Sequence, residues 1–255
     1  MPRSLHGGRH ELGQNFLTHR PTLGRILTLV RQTPGSILEL GAGDGALTRG
    51  LAGLGRPLTA LEIDEHRARR LQAALPTVTV RAADALRHPL DADVVVGNIP
   101  FHLTTPILRR LMASRTWHHA VLLTQWEVAR KRAGIGGGTM LTAQLAPWFE
   151  FGLDGRVPSW GFAPQPAVDG GLLTISRRED PLVAAPDRRR YEAFVGAAFT
   201  ARGSGLPAII ARAASTSPSR ARAALHAAGA AGCRLPRELR AQHWAGLWRE
   251  LGRAR

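Results

Sequence analysis

The sequence predicts an α/β protein: a mostly parallel sheet covered on both faces by helices, followed by a small helical region. Three observations predict it. Short apolar runs alternate with segments of helical spacing, a glycine-rich turn follows the first of those runs, and the composition changes after residue 180. Strands separated by helices need crossover connections, which favour parallel pairing.

The elements follow in order. Residues 36–40 (SILEL) form an apolar strand that runs into GAGDG at 41–45, and 46–54 has helical spacing. The next strand is 57–61, with Glu62 and Asp64 at its tip, and a helix covers 65–75. Strands at 77–81, 93–97 and 120–124 continue the sheet, with helical spacing at 105–114 and 127–132. GIGGG at 134–138 is a flexible interruption, and residues 139–145 fit either a helix or a strand. Late strands are expected at 149–157 and 171–177, with the proline-punctuated SWGFAPQPAVDG between them. Beyond residue 187 alanine and arginine dominate, and helices are expected at 191–199, 218–227 and 236–251. Alanine favours helix strongly, but such low apolar bulk supports only a small bundle. A boundary is expected near 180–187.

A chain of 255 residues that is 44% hydrophobic can bury a substantial core. Its single cysteine, Cys233, leaves no partner for an internal disulfide and too few thiols for a cysteine-rich metal site, and no metal is expected. The opening MPRSLHGGRHELG lacks the apolar core of a secretory signal, and no run approaches bilayer length, so a cytoplasmic location is expected. Charge is the strongest bulk signal, at +15. From residue 181 onward 13 basic residues face 4 acidic ones, against 21 and 15 before it. Every basic residue except Lys131 is arginine, whose planar fork matches phosphate oxygens. The balance points to a polyanion partner.

The glycine turn would let a ligand approach the backbone closely, with the free amides of the following helix beside it. Glu62 lies 21 positions beyond Gly41, where a carboxylate can accept from both hydroxyls of a ribose. Asp84 would accept from an adenine amino group, with Ala85 supplying an adjacent backbone donor. These features select an adenosine-containing ligand and leave its chemistry open, since a nicotinamide cofactor uses the same loop and acid. No GK[ST] phosphate loop is present, which argues against nucleoside triphosphate hydrolysis. After the fourth strand comes NIPF at 98–101. Asn98 and the carbonyl of Pro100, expected to be free, would accept the two protons of an exocyclic amine, and Phe101 would stack on its ring. An ordinary strand-to-helix turn accounts for the same residues.

Seven stretches carry a resemblance that decides between these readings: GQNFL (13–17), ELGAGDG (39–45), LEID (61–64), Asp84–Ala85, GNIPFHLTTPI (97–107), TQWEVARKR (124–132) and FAPQPAVD (162–169). Over residues 10–178 the chain resembles the rRNA adenine N6-methyltransferases, which include the Erm resistance methylases and the housekeeping small-subunit dimethyltransferases. The resemblance implies a Rossmann-like S-adenosylmethionine-dependent methyltransferase domain with a small C-terminal α-helical domain. It divides the chain into a partly mobile arm at 1–20 that contributes to the cofactor site, a catalytic domain at 21–180 and an RNA-binding domain at 181–255.

By the same resemblance Gln14, Asn15 and Leu17 lie against S-adenosylmethionine, as do Gly41, Gly43, Ile63 and Asn98. Glu62 takes its ribose, and Asp84 with Ala85 its adenine. Asn98, Pro100 and Phe101 form the catalytic turn, and Phe162 closes over the target base. Arg109, Arg110 and Arg115, then Arg130, Lys131 and Arg132, then Arg188, Arg189 and Arg190 are expected to grip RNA phosphates. NIPF followed by HLTTPI is more like the resistance methylases, so 23S rRNA or an early large-subunit precursor is the expected substrate. The enzyme is expected to act as a monomer, with neither DNA nor a membrane as partner. The alternatives are a small-subunit dimethyltransferase and a non-catalytic RNA-binding or transcription factor on the same fold. The chain departs from the family in having Gly170–Gly171 where a serine is usual, and TARGSGL at 200–206 in place of a more basic run.

Overall fold

The computed structural model describes residues 15–252. The chain begins with β1 (Phe16–Leu17), α1 (Arg20–Arg31), β2 (Ile37–Leu40), α2 (Ala46–Ala52), β3 (Leu58–Glu62) and α3 (Glu65–Ala74). It continues through β4 (Thr79–Ala82), β5 (Val94–Asn98), α4 (Thr104–Ala113), β6 (His119–Gln125), α5 (Trp126–Arg132) and α6 (Met140–Leu145). Then come β7 (Phe149–Val157), β8 (Phe162–Ala163) and β9 (Gly170–Arg177), before α7 (Arg188–Thr200), α8 (Leu206–Ala213), α9 (Pro218–Ala227) and α10 (Ala241–Leu251).

The main sheet has the order β4-β3-β2-β5-β6-β9-β7. Parallel pairing joins β4 to β3, β3 to β2, β2 to β5 and β5 to β6. From β2 the chain moves outward on one side to β3 and β4, then returns to β5 on the other side. The carboxyl ends of β2 and β5 therefore flank the point where strand order reverses, and open sheets hold ligands in that crevice. Burial on both faces explains the unbroken apolar runs: Val94, Val95 and Val96 are fully buried, as are Leu38 and Leu40 on the neighbouring strand.

Gly97 belongs to this contact between β2 and β5. A Cβ there would lie 2.7 Å from the Leu40 carbonyl oxygen and 2.9 Å from Ile99 Cδ1. The carbonyl belongs to a paired strand and cannot yield, so Gly97→Ala should destabilise the fold by about 2 kcal/mol, read by denaturant unfolding.

Two compact units divide the described chain: residues up to Ala129 with Leu153–Ile175, and Arg130–Gly152 with Ser176 onward. The second unit has a denser core than its alanine content suggested, because aromatics supply the bulk. Tyr191 and Trp244 are fully buried, the Tyr191 hydroxyl donates to the Ala143 carbonyl at 2.8 Å, and its ring meets Trp148 and Trp248 edge-on.

One expectation is revised, one open choice is decided and four elements were not foreseen. Residues 236–251 are not one helix: Pro236–Glu238 is a 3-10 turn and α10 starts at Ala241. The Arg237 carbonyl accepts from the Gly138 amide at 2.7 Å, so it is already engaged outside any helix. Residues 139–145 resolve as α6, capped by Thr139, whose hydroxyl accepts from the Thr142 amide. The sequence reading also missed α1, α8 and the two-residue strands β1 and β8, which pair antiparallel.

Candidate active site

A cleft with about 760 Å³ of open space, including its solvent-facing mouth, lies at the carboxyl ends of the central strands. The GAGDG turn forms one side. The amides of Gly41 and Ala42 both donate to the Leu61 carbonyl, at 2.9 and 2.8 Å, which ties the turn to β3. Gly43 has φ +57°, and a Cβ there would sit 2.9 Å from the Phe16 ring. Glycine is needed because the backbone is left-handed and an aromatic ring lies over it. Beside Gly41 the space is open, with the nearest atom to an added Cβ 4.0 Å away.

Glu62 ends β3 and is 2% exposed. Its Oε2 accepts from the Gly43 amide at 2.7 Å and its Oε1 from the Asp64 amide at 2.9 Å. The two backbone donors fix the carboxylate and leave lone pairs on both oxygens. Past β4, Asp84 Oδ1 accepts from the Leu86 amide at 2.7 Å, and the Ala85 amide has no partner among the described residues. Ile63, Ile99 and Ile107 supply apolar walls.

Asn98, the last residue of β5, donates through Nδ2 to the Asn15 carbonyl at 2.7 Å. That bond sets the amide orientation and leaves Oδ1 as an acceptor. The Pro100 carbonyl is not free as expected: it accepts from the Leu103 amide at 2.8 Å, opening the 3-10 turn Phe101–Leu103. One lone pair remains on it. Phe101 is half-buried, lines the cleft and meets Phe162 edge-on, with ring centroids 6.4 Å apart and planes at 74°.

Two expected site residues face elsewhere. Leu17 is 5% exposed and Phe162 3%, and both side chains belong to the apolar core outside the cleft lining. The antiparallel register places Leu17 opposite Phe162 and Phe16 opposite Ala163. Neighbouring strand residues point to opposite faces, so Phe16 lines the cleft while Leu17 enters the core. Phe16 was missed because a two-residue strand shows no periodicity. Gln14 lies outside the described residues. The Gly170–Gly171 departure also has its reason here: a Cβ on Gly170 would lie 2.9 Å from Phe162 Cζ, and one on Gly171 2.7 Å from Ala129 Cβ. Asp169 holds the same loop, accepting from the Ser159 amide at 2.8 Å and from Arg156 Nε at 2.6 Å.

A family model described as ribosomal RNA adenine dimethylase matches residues 5–228. The chain belongs to the ribosomal RNA adenine dimethylase family. This dimethylase-family chain is 50% identical over 248 residues to the mycinamicin-resistance protein MyrB of Micromonospora griseorubida, covering 95% of itself and 79% of that protein. It is also 50% identical over 209 residues to an rRNA adenine N-6-methyltransferase of Corynebacterium diphtheriae, covering 80% of itself and 83% of the relative. The crystal structure of the 23S rRNA methyltransferase ErmE superposes with a TM-score of 0.84 at 34% identity, covering 94% of this chain and all of that one. The protein is accordingly an S-adenosylmethionine-dependent rRNA adenine N6-methyltransferase.

The cleft of this dimethylase-family enzyme fits that cofactor. A buried carboxylate with spare lone pairs, an unpartnered amide at Ala85 and open room beside Gly41 match the hydroxyls, ring nitrogens and methionine portion of an adenosyl amino acid. Glu39 on β2 was not foreseen as special. Burial pushes its carboxyl up to about 7, with the Thr48 hydroxyl opposing and the Glu62 charge adding to the rise. The folded chain then keeps a proton that the unfolded chain releases between about pH 4.5 and 7. Stability falls as pH rises through that window. Glu39→Gln should remove this slope, worth about 3 kcal/mol by pH 8, in denaturant unfolding followed from pH 4 to 8.

The arginine clusters of this dimethylase-family chain divide. Arg109, Arg115, Lys131 and Arg189 are exposed. Arg110 instead donates to the Ala85 and His88 carbonyls at 2.5 and 2.8 Å. Arg132 is half-buried and donates to the Thr139 hydroxyl, and burial lowers its pKa. Arg130 reaches the Ile135 carbonyl at 3.5 Å. Arg188 pairs with Glu192 at 2.8 Å and lies 5.2 Å from the Trp148 ring centre. Arg190 donates to the Gly252 carbonyl and lies against Trp248. Among the described residues no helix is long and apolar enough to cross a membrane.

Proposed function

We propose that the enzyme methylates N6 of one unpaired adenosine in 23S rRNA and thereby confers resistance to macrolides, lincosamides and streptogramin B. The names of the similar proteins support the choice of RNA and of drug class: one is a mycinamicin-resistance protein, the other a 23S rRNA methyltransferase. The observation that carries the chemistry is the Asn98 amide, tethered to the Asn15 carbonyl so that Oδ1 stays an acceptor beside Phe101.

The residues then have definite roles. An adenine N6 lone pair is delocalised into the ring and is a poor nucleophile. Asn98 Oδ1 and the remaining lone pair of the Pro100 carbonyl each accept a hydrogen bond from one amine N–H, and so favour the pyramidal nitrogen whose lone pair leaves conjugation. Once methylated, that nitrogen is acidic and loses its extra proton to solvent. Bound S-adenosylmethionine supplies a sulfonium-activated methyl group. In-line placement and electrostatics carry most of the acceleration. Phe101 stacks on the extruded base, replacing stacking worth about 1–3 kcal/mol. Phe162 supports Phe101 edge-on from the core.

Glu62 holds the cofactor's ribose, Asp84 and Ala85 its adenine, and Asn15, Phe16, Gly41, Gly43 and Ile63 line its path. Arg109, Arg115, Lys131 and Arg189, which are exposed members of the clusters, meet phosphates, with residues 181–255 helping to hold the RNA. The enzyme acts as a monomer in the cytoplasm. The test is transfer of labelled methyl groups to protein-free 23S rRNA and to 30S particles, with modified nucleosides mapped by mass spectrometry. N6-methyladenosine or N6,N6-dimethyladenosine at one 23S position is expected, and activity confined to 30S particles would overturn the proposal.

A further inference from the structure

We infer that Arg110 is a positioning residue for adenine recognition and couples the Asp84–His88 turn to the catalytic turn at Asn98–Phe101. The inference rests on the reading that Asp84 and Ala85 receive the cofactor's adenine. Helix α4 follows directly on the 3-10 turn Phe101–Leu103, so whatever α4 grips is fixed relative to Phe101. What it grips is the connection between β4 and β5. The half-buried Arg110 guanidinium donates through Nη1 to the Ala85 carbonyl at 2.5 Å and through Nη2 to the His88 carbonyl at 2.8 Å.

The turn depends on that grip. Its amides converge on Asp84: Leu86 donates to Oδ1 at 2.7 Å, and Arg87 and His88 donate to the Asp84 carbonyl at 2.9 and 3.0 Å. The Ala85 and His88 carbonyls take their partners from Arg110. A planar fork fixes two carbonyls at once, which a lysine cannot reproduce. With the Ala85 carbonyl held by Arg110 and the Asp84 carbonyl held by the Arg87 and His88 amides, the peptide planes after and before Ala85 are both restrained, and Arg110 supplies the first of these restraints directly. The unpartnered Ala85 amide and the Asp84 carboxylate therefore keep a constant relation to each other. Arg109, the preceding residue on the same helix, is exposed and shares none of this.

The test compares binding of S-adenosylhomocysteine with S-inosylhomocysteine, which carries a carbonyl oxygen where adenine has its amino group. Titration calorimetry on the full-length wild type, Arg110→Ala and Arg110→Lys gives the ratio of the two affinities. Wild type should prefer the adenosyl compound by about tenfold or more, since a carboxylate repels the inosine oxygen. Both variants should lose about tenfold in S-adenosylhomocysteine affinity and change about twofold or less toward S-inosylhomocysteine, so the preference collapses. In turnover the KM for S-adenosylmethionine should rise while the KM for RNA holds. Arg110→Lys carries the test should Arg110→Ala fail to fold. Variants that bind both ligands as wild type does, or lose both equally, would overturn the role of Arg110. A wild type without preference would instead overturn the Asp84 reading, and this inference with it.

Discussion

Asn98→Ala should lower kcat by about 10²–10³-fold, while the affinity for S-adenosylhomocysteine falls by about threefold or less. The asymmetry follows from what the side chain does. Its Oδ1 acts on the target amine and is most effective when that nitrogen is pyramidal, so its loss is felt mainly in the transition state. Its Nδ2 donates to the Asn15 carbonyl, which lines the same cleft, so a small loss of cofactor affinity is expected as well. Single-turnover methylation of 23S rRNA beside calorimetric binding separates the two effects. If cofactor affinity collapses with turnover, Asn98 is an anchor for residue 15 rather than an acceptor for the amine.

Glu62→Ala should abolish measurable cofactor binding, and Glu62→Gln should weaken S-adenosylhomocysteine by about tenfold or more. The alanine variant strips the Gly43 and Asp64 amides of their acceptor in a place that is 2% exposed, at about 1–3 kcal/mol for each buried donor left unpaired. It therefore loosens the glycine turn as well as removing the ribose acceptor. The glutamine variant keeps the volume but turns an amino group toward one of those two N–H donors. Calorimetry and thermal unfolding together separate lost recognition from lost structure. Glutamine binding within about twofold of wild type would remove Glu62 from the ribose site.

The sheet was legible because its strands are buried on both faces and read as continuous apolar runs between turn residues. All five central strands were placed within two residues at either end, as SILEL against β2 illustrates. Glu62, Asp84 and Asn98 were legible for a related reason: each stands at or just beyond the carboxyl end of a parallel strand, where the crevice must be. The alanine-rich C-terminal segment was harder. Leu206, Ile209 and Ile210 stand at i, i+3 and i+4 and are buried in α8, so a helical pattern was present there, but in only eight residues after the glycines of TARGSGL.

Which cations are free was not legible at all. Arg109 and Arg110 are adjacent and chemically identical, yet one is exposed and the other holds two carbonyls of a distant turn. The same holds for Phe16 and Leu17, whose fates follow from the pairing of β1 with β8 some 145 residues apart (Phe16 against Ala163 is the outer pair). Sequence by itself determined the layered architecture, the order of the strands along the chain and the family's chemistry, because these rest on local patterns of burial and on short motifs. Only the tertiary structure decided which neighbouring side chain faces the cleft, which carbonyl is already engaged and which arginine is committed inward. Those outcomes depend on partners brought together from remote parts of the chain, and hydrogen bonds and close packing are sensitive to displacements far smaller than one residue.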